Sequence, residues 1–128
     1  MVEWWAAFIA LNGLIVLLLA LNVSRLRITL RIPYGDGGDK DMNQAIRAHA
    51  NAVEHGVWMA LLLLAMALLR ADINLMAGLV ALYTVGRLLH VVGMLQRRFN
   101  ARRGGALLMY LAQLIAVLVL FPLLFGAL

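Results

Sequence analysis

The chain has no cysteine and little charge. Without a thiol it can form no disulfide, offer no thiolate nucleophile and build no thiolate metal site, so any sulfur chemistry must use sulfur brought by a ligand. Charged residues make up only 13% of the 128, against 65% hydrophobic, which excludes the mix of an ordinary soluble domain and points to an integral membrane protein. Acid is scarcer than base: six Asp and Glu face eleven Lys and Arg, for a formal net charge of +5. Basic residues beside long apolar runs mark the cytoplasmic side of a bilayer, so no nucleic-acid partner is expected. The N-terminus, "MVEWWAAFIA", has Glu3 where a signal peptide would be basic. Its apolar run is also too long for a cleaved segment and is expected to stay as a membrane helix. Internal repeats and low-complexity linkers are absent too, which leaves a single domain over 1–128.

A hydrocarbon core of about 30 Å needs roughly 20 apolar residues as a helix. Four segments qualify, over about 4–31, 43–69, 73–97 and 105–127. The first is apolar to Val23 except for Asn12, and its end is marked by Pro33 and the loop "PYGDGGDKD". The second is purely apolar only from Gly56 to Leu69, so it must borrow length from "RAHANAVEH", with Asp41 or Asn43 as its cap. Arg25, Arg27, Arg31, Lys40 and Arg47 flank the first loop and Arg97, Arg98, Arg102 and Arg103 the third, while Arg70 stands nearly alone on the other side. The positive-inside rule then places loops one and three in the cytoplasm and both termini outside it. The fold expected is all-α, a four-helix transmembrane bundle with short connections.

Polar groups at membrane depth are costly and face protein or water. On a helix Arg47, Asn51 and Glu54 share one face, as do Arg87, His90 and Met94 in the third span, whereas Arg25 and Arg27 lie about 200° apart and only one points inward. The inward set is basic with a single carboxylate. It suits a small peptide-like anion: arginines fork onto carboxylates, Asn51 bonds an amide and Glu54 receives an ammonium. The competing reading pairs Arg87 with Glu54 inside the bundle and leaves Asn51 and His90 as interhelical hydrogen-bond glue. A metal site is not expected, because His49, Glu54 and His55 do not share a helix face. The seven methionines read as packing filler, and Trp4, Trp5 and Trp58 as interfacial anchors. Gly78, Gly86 and Gly93 recur in the third span and suit a close helix approach.

The pattern R-x-H-x-N-x-x-E, here Arg47, His49, Asn51 and Glu54, resembles the second-helix motif of the MAPEG family, the membrane-associated proteins of eicosanoid and glutathione metabolism. Agreement extends to "RLR" at the end of the first helix, R-x-x-H in the third (Arg87, His90) and "LAQL" in the fourth (Leu111 to Leu114). The "YGDGG" loop followed by "IRAHAN" looks like the small bacterial branch, which implies a bacterial inner membrane. The resemblance further implies a homotrimer in a lipid bilayer, with glutathione as co-substrate held between neighbouring subunits near the cytoplasmic face. Carried over onto matching positions, the binding residues are Arg25, Arg47, Asn51, Glu54, Arg87 and His90. Family enzymes hold the glutathione thiol as thiolate near the start of helix four, where Arg102, Arg103 and Tyr110 are the catalytic candidates.

The implied function is a glutathione transferase or peroxidase acting on an apolar small molecule, an electrophile or a lipid hydroperoxide dissolved in the bilayer. The alternative is a non-catalytic binding or scaffold protein for a lipid-like ligand or a partner protein. Two departures favour it: "HGVW" stands where the family motif runs on to Tyr and Pro, and Met94 replaces a third-helix tyrosine of the animal enzymes.

Overall fold

In lipid every backbone amide must be paired internally, so an apolar run has to become a helix. The computed structural model describes residues 1–126 and contains α1 (Val2–Leu30), α2 (Lys40–Leu68), α3 (Ile73–Leu95) and α4 (Phe99–Leu124). Each is long and apolar enough to cross a membrane, so the chain is a helical membrane bundle. At 1.5 Å per residue, α1 and α2 run about 44 Å. That length carries their polar ends beyond the hydrocarbon.

The helix ends depart from expectation in two places. Asp39 caps α2: its backbone is extended (φ −79°, ψ 128°) and its carboxylate accepts from the Met42 N–H at 2.8 Å. Neither Asp41 nor Asn43 does so, since both already lie inside the helix; Asp41 instead pairs with Arg97 and Asn43 donates to Asp36. α4 begins at Phe99, well before the expected Gly105, so Arg102 and Arg103 ride on its first turns rather than on a loop. The expected end at residue 127 lies outside the described residues. Every interhelix connection carries an arginine in the left-handed region within its first two residues, Arg31, Arg70 and Arg97, a conformation that more often goes to glycine.

α1 packs on α2 and α3, α4 packs on α3 and α2, and among the described residues α1 and α4 do not meet. The α2 and α3 pair therefore forms the middle of the bundle. Its main apolar core joins Phe8, Met59, Leu63, Met66, Met76, Tyr83 and Met109, with Phe8 edge-on to Tyr83 at 5.3 Å. A smaller cluster, Leu19, Ala48, Ala52 and Met94, lies toward the first and third loops. The methionines from Met42 onward are all buried, in keeping with packing. Trp4 and Trp58 are exposed as anchors would be, but the Trp5 indole N–H donates to the Ala60 carbonyl and ties α1 to α2.

Candidate functional site

The site is built on the seam between α3 and α4, which glycines allow to close. A methyl group on Gly93 would lie 2.2 Å from the Arg102 amide nitrogen, and one on Gly105 would lie 2.4 Å from that of His90. Gly86 meets the Gly105 carbonyl in the same way, at 2.9 Å, whereas Gly78 faces open space. Two of the three recurring glycines thus serve close approach. The seam brings the His90 ring against the first turns of α4, where its Nδ1–H donates to the Arg102 carbonyl at 2.9 Å.

Arg87, one turn away on α3, is only 1% exposed. It donates to Asn51 Oδ1 at 2.8 Å and to the Tyr83 hydroxyl at 2.7 Å, and its guanidinium lies 5.4 Å from the Tyr83 ring centre. The Arg87–Glu54 pair weighed from the sequence does not form. Glu54 is exposed, and Arg87 takes neutral partners instead. Tyr83 went unremarked in the sequence reading, although its position four residues before Arg87 is the spacing at which helical side chains meet. A second interhelical bond runs from Asn12 Nδ2 on α1 to Thr84 Oγ1 on α3, at 3.2 Å.

Beside this network lies a cavity of about 280 Å³ lined by α2, α3 and the start of α4. That is close to the lower bound of ordinary small-molecule sites, about 300 Å³. Arg47, Asn51, His90, Arg102, Arg103 and Tyr110 share it, with Asn43, Gln44, Met94 and Ala106 completing the wall. With Asn51 Oδ1 held by Arg87, its amide hydrogens are what Asn51 can offer a guest. The wall is therefore rich in donors and cations and contains no carboxylate. The other sequence candidates lie apart. Arg87 backs the cavity through Asn51; Glu54 is on the same α2 face but outside the wall. Arg25 is exposed, donates to Asn22 Oδ1 at 3.0 Å and borders a separate cleft with Asp41 and Leu95. Arg27, the other member of that pair, folds back onto the Ile32 and Gly35 carbonyls and pins the first loop.

Tyr110 also borders a second cleft of about 360 Å³ with His55, Gln113, Leu114 and Val117, and its ring lies 5.5 Å from that of His55. Polar cavity and apolar cleft thus adjoin at one side chain.

The family model described as MAPEG family matches residues 5–122. The chain belongs to the MAPEG family. Among curated relatives, the inner membrane protein YecN from two Escherichia coli strains is 36% identical over 115 residues, 88% of this chain and 86% of the relative. In MAPEG terms, the second-helix motif contributes Arg47 and Asn51 to the cavity, Glu54 to an exposed face beside it, and His49 to neither.

Proposed function

We propose that this MAPEG protein is a glutathione-dependent transferase of the bacterial inner membrane that conjugates apolar electrophiles or reduces lipid hydroperoxides. The observation that carries the reading is the cavity wall: Arg47, Arg102 and Arg103 offer three guanidiniums and Asn51 amide donors. Such a donor set fits a tripeptide with two carboxylates, because guanidinium forks match carboxylate geometry. Arg102 and Arg103, on the first turns of α4, are the groups to hold the glutathione sulfur as a thiolate by direct charge attraction. The adjoining cleft at His55, Gln113, Leu114 and Val117 admits an apolar second substrate sideways from the bilayer, and Tyr110 stands between the two compartments.

Glu54 supports a homotrimer. A carboxylate exposed on a membrane helix is expensive in lipid, so its face calls for a cover. A neighbouring subunit supplies one, and with it a closed site in which Glu54 receives the glutathione ammonium and Arg25 of that neighbour completes the binding set. The excess of arginines around loops one and three puts the polar cavity on the cytoplasmic side, with both termini opposite.

The test is conjugation of glutathione to a generic aryl halide by protein purified in detergent. Replacing Arg102 and Arg103 together by Ala is expected to abolish turnover and to weaken glutathione binding without abolishing it, and unchanged turnover would remove both from the mechanism. A second reading, a non-catalytic binding protein, is favoured by Met94, which places a thioether where the animal enzymes have a phenol. Saturable glutathione binding with no turnover of any electrophile would decide for it.

A further inference from the structure

The cavity is crowded with donors, yet one of its residues has an acceptor with nothing to accept. His90 is 6% exposed, and its Nε2 is buried without a hydrogen-bond partner. The tautomer follows from its other nitrogen. The partner of Nδ1 is a backbone carbonyl, which can only accept, so Nδ1 bears the hydrogen and Nε2 presents a bare lone pair. Buried acceptors are nearly always satisfied, and one that is not calls for an explanation such as a catalytic role.

The surroundings say what would satisfy it. The ionisable groups around the ring are Arg87 on the same helix, Arg102 on α4 and His55 on α2, with no carboxylate among them. The remaining ionisable wall groups are Arg47, Arg103 and Tyr110. On the described wall the arginines are permanently protonated and the Tyr110 phenol is not a base, so Nε2 is the neutral base the wall supplies; His55 lies outside it. A lone imidazolium beside two guanidiniums would be unfavourable. A proton that arrives together with an anion is a different matter, because the anion offsets the added charge.

We infer that His90 Nε2 takes the thiol proton of the glutathione bound in this cavity, making His90 a catalytic base of the reaction proposed above, on which this inference rests. The S–H bond breaks, its electron pair stays on sulfur, and the proton forms an N–H bond at Nε2. The resulting thiolate is held by Arg102 and Arg103. With an aryl halide, sulfur then bonds to the ring carbon, halide leaves with the C–halogen electron pair, and the imidazolium returns its proton to water. The Arg102 carbonyl orients the base throughout, and the Gly93 and Gly105 contacts fix that carbonyl in place. Nε2 exposes no surface of its own, so the thiol must displace side chains to reach it. The side chains of Arg102 and Arg103 on that wall are long and exposed.

The experiment uses full-length protein in detergent with ¹⁵N-labelled histidine. Adding glutathione to the parent is expected to shift an unprotonated Nε2 signal to the protonated position, and adding S-methylglutathione is not. In His90→Gln, bound glutathione is expected to show its thiolate absorbance only at higher pH, displaced upward by about one unit or more. Turnover at neutral pH then falls about tenfold or more and recovers in alkali, where the thiol ionises unaided. A structural role alone would lower turnover equally at all pH values. An Nε2 signal that responds identically to both peptides, or a thiolate titration unchanged in His90→Gln, overturns the inference while glutathione binding stands. A parent protein that binds neither peptide removes the proposed function, and the base with it. The labelling arm needs no variant, so a misfolded His90→Gln still leaves a decisive result.

Discussion

The two halves of the bundle are built on different terms. Toward the termini, Phe8, Met59, Leu63, Met66, Met76 and Met109 form a continuous apolar core, and the cavity of about 220 Å³ that Phe8 borders between α1 and α2 is walled mainly by apolar side chains. Toward the first and third loops the buried apolar set shrinks to Leu19, Ala48, Ala52 and Met94, and polar clefts open around it. Methionine adapts to irregular gaps and closes the first half. The second half keeps its shape by other means: glycine contacts between α3 and α4, the Arg87 bonds to Asn51 and Tyr83, and a tied first loop. The larger apolar core and the polar cavity thus sit toward opposite ends of the bundle.

The comparison is broken most severely at the glycine seam. Gly93→Ala drives a methyl group into the Arg102 backbone, and overpacking of this kind costs about 1–3 kcal/mol or more. Gly78→Ala, which meets nothing, is expected to be neutral or slightly stabilising through helix propensity, by up to about 1 kcal/mol. Unfolding of both variants in the same detergent checks the contrast, and equal stabilities would sink the seam. Next in size is Arg87→Met, which leaves Asn51 Oδ1 and the Tyr83 hydroxyl without their donor. The expected loss is about 1–3 kcal/mol. Tyr83→Phe should lose less, and a double-mutant cycle of the two should show coupling; strict additivity would contradict the network.

The smallest effect concerns the loop. The Gly38 backbone N–H and then the Asn43 side chain hold the Asp36 carboxyl below the usual carboxylate range. A carboxyl depressed in the folded state contributes stability that is present above its unfolded value, about 3.9, and is lost as pH falls through the lower folded value. Loop order, followed by amide exchange at Gly38, should therefore persist at neutral pH and weaken only in strong acid. In Asp36→Asn that acid dependence should vanish.

The four helices were legible because lipid leaves an apolar run no other option, and Arg47 with Asn51 was legible because helical spacing alone puts them on one face. The caps were harder to read. Asp39 is as good a capping residue as the expected Asp41 or Asn43, and only the loop geometry, with Arg27 and Asp36 holding the turn, selects it. Charge alone points Arg87 to Glu54, but Glu54 is exposed while Tyr83 lies one turn back on the same helix and accepts from Arg87. The segment "RRFNARR" reads as loop chemistry, yet nothing in it forbids a helix once α3 supports it, and α4 starts at Phe99, ahead of its apolar run. His90 was visible as a motif residue, but the lone pair on Nε2 appears only when its other nitrogen has a partner.

The most direct measurement is equilibrium binding of glutathione to the purified protein, compared between the parent and Arg47→Ala, a residue that lines the cavity and is exposed. Saturable binding by the parent that weakens about tenfold or more in Arg47→Ala is the expected result. A parent that never saturates, or a variant that binds as tightly as the parent, would contradict a glutathione site between α2, α3 and α4.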